Sequence, residues 1–160
     1  MKTLAAITLT ACLAAGTALA DAESCRTIRL ANLGWTDILL TDATAEVILN
    51  ALGYEAGNTQ LGLGIAYTSL QEGNMDVFQG NWRPVQDENF KEFFDKGWVE
   101  VLGKNLEGAK FTLAVPAYVA EGGITTFADV AANREMFEGK IYGIEPGSND
   151  YLLDMVAQGL

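Results

Sequence analysis

The segment "TIRLANLGWTDILL" (Thr27–Leu40) contains the strand-to-helix transition on which the fold prediction rests. It begins as an apolar, strand-like run, and apolar residues at helical spacing follow from Ile38. Trp35 and Asp37 fall in the turn between the two. Because open α/β sheets bind ligands at the carboxyl ends of their strands, we expect this turn to contribute to a ligand site.

The rest of the chain continues the alternation of strand-like and helix-like segments. Strands are predicted at 54–64, 75–82, 98–103 and early in 139–150, and helices at 66–72, 84–97, 125–137 and from 149 onward. Residues 110–120 form a further apolar run that Pro116 interrupts. Repeated βαβ alternation predicts an α/β fold with a mostly parallel sheet.

The first residues, "MKTLAAITLTACLAAGTALA", are typical of a secretory signal peptide. Lys2 precedes an apolar run, and Ala18 and Ala20 form the small-residue pattern of a cleavage site. A lipoprotein signal ending at Cys12 is the alternative. Cleavage after Ala20 predicts a soluble exported protein in which Cys25 is the single cysteine.

Charge and composition narrow the class of function. The formal net charge is -11 and histidine is absent, so nucleic-acid binding is disfavoured and the commonest metal ligand and neutral-pH base are missing. Three carboxylates are interpreted as solvated helix caps rather than a calcium loop: Asp76, Asp87 and Glu88. We predict no metal and no cofactor, whereas a small cation suits the charge.

Several side chains are candidates for a site, each with a structural alternative. Trp35 and Trp82 both stand at strand-to-helix turns, although either alone suits a core; Phe111 suits core or site, and Trp98 is assigned to the core. Asp37 is expected to cap its helix and to meet a ligand. Gly62 and Gly64 begin a G-x-G pattern without the third glycine of a nucleotide motif, so we expect a flexible loop there.

The stretches "GWTDI", "AYTSL", "DVFQGNWRP", "NLEGAKFTLA" and "GKIYGIEPGSND", in this order, resemble the substrate-binding proteins of ABC importers for quaternary amines. The chain is most similar to the periplasmic choline-binding proteins of the glycine betaine/choline family. The resemblance covers about Cys25 to Leu160. It implies an α/β, type II periplasmic binding protein fold with two lobes that close on the ligand.

The resemblance also implies a box of aromatic side chains around a trimethylammonium group. A quaternary ammonium cannot donate a hydrogen bond, so ring faces are its best desolvated partners. Trp35 and Trp82 match box tryptophans. Phe111 matches a position where choline binders have tyrosine, which keeps the ring face and loses the hydroxyl.

Polar ligand contacts are implied in the same way. Asp37 matches the carboxylate that meets the hydroxyl of choline and balances its charge. Ser148 falls where the family has a ligand-contacting asparagine, and the neighbouring Asn149 is the alternative. The block "EPGSND" also opens a helix whose first N–H groups can hold a ligand oxygen.

Length is the main departure from the family, whose members continue well beyond residue 160. We therefore expect a truncated chain: a signal peptide at 1–20, a first lobe at 21–110 and an incomplete second lobe at 111–160. A further box tryptophan and the partner of Cys25 would belong to the missing part.

The predicted function is capture of choline in the periplasm by a monomer that delivers it to an ABC transporter permease. Glycine betaine is the alternative ligand. An α/β enzyme using carboxylates, or a chain without independent binding, are the alternatives outside that class. No paired acid and base that would support the enzyme is found.

Overall fold

The computed structural model describes residues 25–158, so the predicted signal peptide lies outside the described residues. Two halves of the described chain differ in their elements. The first contains β1 (Thr27–Asn32), α1 (Thr36–Ala51), β2 (Glu55–Gln60), α2 (Leu63–Gln71), β3 (Val77–Phe78) and α3 (Lys91–Asp95). The second contains α4 (Ala117–Glu121), α5 (Phe127–Ala132), a 3-10 helix (Arg134–Phe137) and α6 (Asp150–Ala157).

The three strands form one parallel sheet in the order β2-β1-β3. Thr27 pairs with Glu55 at one end of β1 and Asn32 pairs with Gln60 at the other. In the centre Leu30 and Ala31 are 1% and 0% exposed, as expected for a strand with neighbours on both sides and helices over its faces. The predicted α/β class with a parallel sheet is confirmed.

An aromatic cluster lies beside this sheet and anchors α2. The ring of Tyr67 stacks on Phe90 at 3.8 Å between centroids, and the rings of Phe93 and Phe94 approach it at 5.4 and 6.1 Å. Desolvation raises the pKa of the Tyr67 hydroxyl. Three phenylalanines from one short segment therefore surround the Tyr67 ring.

The helix predicted at 84–97 is mostly a series of turns, and only Lys91–Asp95 is α-helical. Trp98, expected in the core, is 38% exposed: its ring meets Phe93 edge-on, and the ammonium of Lys96 lies 4.5 Å above it. The core prediction for Trp98 is wrong because its ring is exposed at the edge of the cluster, where its described contacts are with Phe93 and Lys96.

The strands predicted at 98–103 and early in 139–150 do not form in the described chain. Strand pairing needs a neighbour for its backbone groups, and within residues 25–158 neither segment pairs with β2 or β3, the strands at the two edges of the sheet. The loop predicted around Gly62 and Gly64 is also wrong, because Gly62 is the N-cap of α2 and Gly64 lies within the helix.

Two of the three carboxylates interpreted as helix caps, Asp76 and Asp87, pair with arginines instead. Asp76 accepts hydrogen bonds from the backbone N of Arg29 at 2.8 Å and from its Nε at 2.9 Å. Asp87 accepts from the Nε of Arg83 at 2.7 Å. Within residues 25–158 no helix is both long and apolar enough to cross a bilayer.

Candidate functional site

The turn after β1 is shaped by Gly34 and Asn32. Gly34 has a φ of +81°, which other residues rarely adopt, and a Cβ there would lie 2.5 Å from the Nε2 of Gln60, so a larger residue would be strained and would displace that side chain. The buried Asn32 accepts a hydrogen bond on Oδ1 from the Gly34 N–H at 2.6 Å. These contacts place Trp35, half-buried and packed against the core cluster, at the carboxyl end of the sheet.

Asp37 is the second residue of α1 and not its N-cap, because Trp35 occupies the N-cap position. The prediction that Asp37 caps the helix is therefore wrong. Its carboxylate is in the first turn, where the helix dipole favours negative charge. Asp37 is exposed and adjoins the Trp35 turn, so its charge is available to a ligand there.

A buried carboxylate, Asp42, lies one turn further along α1. Its Oδ2 accepts from the Nδ2 of Asn32 at 2.6 Å, while its Oδ1 has no hydrogen-bond partner among the described residues. Burial raises the pKa of Asp42. The helical pattern gave no sign that this acid faces the sheet.

Trp82 follows the close approach made by Gly80, where a Cβ would lie 2.7 Å from the ring of Phe78. The Trp82 N–H donates to the Oε1 of Gln86 at 3.3 Å. The Trp82 ring lies 6.1 Å from that of Phe111, at an angle of 58°. The structure thus brings together two of the three predicted cage aromatics, which are far apart in the chain.

Ser148 and Asn149 lie in the turn that precedes α6. Ser148 is 4% exposed, and its Oγ has no hydrogen-bond partner among the described residues. The Asn149 amide closes the turn: its Nδ2 donates to the Glu145 carbonyl at 2.8 Å and its Oδ1 accepts from the Ile144 N–H at 3.0 Å. Of the two, Ser148 is the one whose side-chain oxygen has no described partner, and that oxygen is buried.

Three residues that the sequence did not single out connect this turn to the sheet edge. The indole Nε1 of Trp35 donates to the Oε1 of Glu145 at 3.1 Å. The Nδ2 of Asn89 donates to the Gly147 carbonyl at 3.0 Å and to Asp150 at 2.8 Å.

Tyr151 is the third of these residues. Its ring meets that of Phe111 edge-on at 5.2 Å. The partners in these contacts lie 40 or more positions apart, so no local pattern could have indicated them.

The site is therefore a rim at the carboxyl end of the sheet, with the 145–151 segment packed against it. It contains two sets of residues in contact. Trp35 and Glu145 form one set, and Trp82, Phe111 and Tyr151 form the other. Indole and phenyl faces beside an exposed carboxylate are suited to a cation that cannot donate hydrogen bonds.

Comparison with known proteins identifies the class to which this fold and rim belong. The family described as the substrate-binding domain of the ABC-type glycine betaine transport system matches residues 26–157. The chain belongs to this family, so the resemblance inferred from its motifs is confirmed.

One relative is the uncharacterized protein ORF1 of Chromohalobacter salexigens. The two are 44% identical over 130 residues, which are 81% of this chain and 84% of that protein.

Two solved structures of an ABC-transporter choline-binding protein are also similar. The complex with choline superposes with a TM-score of 0.79 at 47% identity, covering 86% of this chain and 48% of that one. The unliganded, semi-closed form gives a TM-score of 0.72 at 47% identity, with 85% and 48% covered. The fold is thus that of a periplasmic binding protein, and the chain spans about half the length of that protein.

Proposed function

We propose that this chain is the ligand-capturing component of an ABC importer and binds choline at the sheet rim. The observation that carries the proposal is the approach of the Trp82 and Phe111 rings to 6.1 Å in a fold shared with a choline-binding protein. Trp35 supplies a further ring face. Asp37 supplies the negative charge, and Ser148, with Asn149 as its alternative, a polar contact.

The physical basis is cation–π attraction in a partly desolvated rim. Each ring face contributes roughly 0.5–2 kcal/mol toward a trimethylammonium group. Several faces together with apolar burial bring the binding free energy to about -8 kcal/mol, near micromolar affinity. Phe111 retains the ring face that this attraction needs.

Choline is favoured over glycine betaine because of Asp37. The hydroxyl of choline can donate to this carboxylate, whereas the carboxylate of betaine would be repelled by it. The exposed position of Asp37 in the first turn of α1 supports this discrimination. Betaine and other quaternary amines remain the alternative ligands within the same class.

The family and the N-terminal sequence support the proposed transport role. A cleavable signal at 1–20 would export the protein to the periplasm, where a monomer passes its ligand to a membrane permease. In this proposal residues 21–110 belong to one lobe and 111–160 to the next, and the ligand lies where Phe111 and the 145–151 segment meet the first lobe.

Tryptophan fluorescence of the purified chain, titrated in parallel with choline and glycine betaine, tests the proposal. A saturable change at lower concentrations of choline is expected. Trp82→Ala should weaken choline binding at least tenfold, as removal of an interface hot spot does. Trp98→Phe, which keeps a ring against Phe93, is the matched control and should bind as the parent does. Absence of a saturable response to either ligand contradicts independent binding by this chain.

Asp37→Asn separates the two ligands. Loss of the charge should weaken choline about tenfold, the effect of losing a charged hydrogen bond, and should weaken betaine less or strengthen it. Glu121→Gln, which neutralises an exposed acid at the end of α4, is the control. Equal losses for both ligands would rule out the assigned role of Asp37.

A further inference from the structure

We propose that Glu145 is a positioning residue that orients the Trp35 ring for the cationic ligand. The proposal rests on the proposed function and extends it to a residue outside the predicted aromatic box and its polar contacts. Glu145 lies in the turn before α6, 110 positions from Trp35. It therefore connects the segment after β1 with the 145–151 segment.

Both carboxylate oxygens of Glu145 face donors of the first half. Oε1 accepts from the indole Nε1 of Trp35 at 3.1 Å, and Oε2 approaches the backbone N–H of Leu63 at 3.5 Å. Glu145 and Trp35 are both half-buried, so this charge-assisted hydrogen bond is less screened than a surface pair. This hydrogen bond restrains the N–H edge of the indole, and it thereby restricts the orientation of the ring plane.

The second oxygen lies at the start of α2. The N-cap of this helix is Gly62, which has no side chain to accept from the exposed N–H groups. A carboxylate at this end is favoured by the helix dipole. Glu145, although it belongs to a distant segment, thus acts as the N-terminal cap of α2. This contact holds its carboxylate at a second point besides the Trp35 indole.

The turn that carries Glu145 is itself braced. The backbone carbonyl of Glu145 accepts hydrogen bonds from the Asn149 side-chain amide at 2.8 Å and from the Ser148 N–H at 3.1 Å. The backbone of Glu145 is therefore held while its side chain holds the indole. Without the carboxylate, the Trp35 indole loses its only described hydrogen bond and its orientation is less restricted.

A second consequence is electrostatic. An indole that donates its N–H to a carboxylate has a more negative ring face. This polarisation favours a cation over the ring. Glu145 thus contributes to binding through Trp35 without contacting the ligand.

The first measurement needs no ligand. In a ¹H–¹⁵N spectrum of the purified chain, the Trp35 indole resonance, assigned with Trp35→Phe, should shift in Glu145→Ala and stay in place in the control Glu121→Ala. An unchanged indole resonance in Glu145→Ala overturns the contact whatever the ligand is.

Choline titrations of the same variants test the positioning role. Glu145→Ala should weaken binding about tenfold, the effect of losing a charge-assisted hydrogen bond. Glu145→Gln, whose amide oxygen can still accept from the indole, should recover part of the affinity. Equal losses in the two variants overturn positioning through the hydrogen bond.

Combining the changes distinguishes action through Trp35 from a general loss of stability. In a Trp35→Phe background, which has a ring but no indole N–H, Glu145→Ala should produce little additional loss. An undiminished loss overturns the proposal. If the parent chain shows no choline binding, the proposed function fails, and the indole resonance still reports on the Glu145 contact by itself.

Discussion

Residues 25–99 and residues 100–158 bury their apolar side chains in different ways. The first region has a parallel sheet whose central strand is buried, together with an aromatic cluster around Tyr67. In the second region the structure describes short helices and no strand, and its buried apolar residues are Val119, Ile124 and Leu152. Large apolar side chains of the second region are exposed, including Leu153 at 63% and Tyr142 at 85%.

The difference shows which region contributes most of the packing that supports the rim. Fewer apolar residues are buried in the second region than in the first, so less burial stabilises it. The second region nevertheless supplies Phe111, Glu145, Ser148 and Tyr151. The first region is thus the scaffold of the rim, and the second region adds the residues that complete it.

Truncation of a buried side chain in each region should distinguish their packing most clearly. Tyr67→Ala should lower the free energy of unfolding by about 3–5 kcal/mol, because the ring is fully buried and stacked on Phe90. Leu152→Ala in the second region should cost about 2 kcal/mol, since Leu152 lines an open apolar groove that can collapse or admit water. Urea unfolding followed by circular dichroism measures both. Similar costs at the two positions would show that the regions are equally well packed.

Removing the buried charge of Asp42 in the first region should have a smaller effect, and it should stabilise the fold rather than destabilise it. Because burial raises the pKa of Asp42 above its unfolded value, ionisation opposes folding, with no cost below the unfolded pKa and the full cost above the folded one. Asp42→Asn keeps an acceptor for Asn32 and should raise the Tm at pH 7 by about 3 °C.

The gain from Asp42→Asn should shrink as the pH falls from 7 through the folded pKa of Asp42. Thermal unfolding at pH 7 and at pH 4 measures it. Asp95→Asn, at an exposed carboxylate of α3, is the control. A loss of Tm in Asp42→Asn at pH 7 would mean that the charge stabilises the fold.

The ion pair between Arg29 of β1 and Asp76, the residue before β3, should show the smallest effect. Hydrogen bonds from the Arg29 side chain lower the pKa of Asp76, so the pair stabilises the fold above the unfolded pKa and its contribution is lost as the pH falls through the folded one. Asp76→Asn should cost about 0.5–1 kcal/mol at pH 7, because the pair is exposed. Glu107→Gln, at an exposed pair of the second region, should cost nothing measurable in the same urea titration.

Most of the first region could be predicted from local patterns. Alternation of β1, α1 and β2 depends on hydrophobic period and on turn residues such as Gly34, which are visible in the chain. The strands expected at 98–103 and early in 139–150 could not be judged in this way. A strand exists only with a hydrogen-bonding neighbour, and a local apolar run does not reveal that neighbour.

The candidate site divides along the same line. Trp35, Asp37 and Trp82 could be placed at a sheet rim because each follows a predicted strand. Asp37 was nevertheless expected at the helix cap, since the sequence does not reveal that α1 begins directly after Trp35. Glu145, Asn89 and Tyr151 had no local signal at all.

The sequence by itself determined the α/β alternation, the acidic charge and the aromatic residues at the strand ends, because each depends on residue type and spacing along one segment. Only the tertiary structure decided that Trp82 meets Phe111 and that Glu145 holds Trp35. Such pairs join residues far apart in the chain, and packing of the whole molecule, rather than any local preference, brings them into contact.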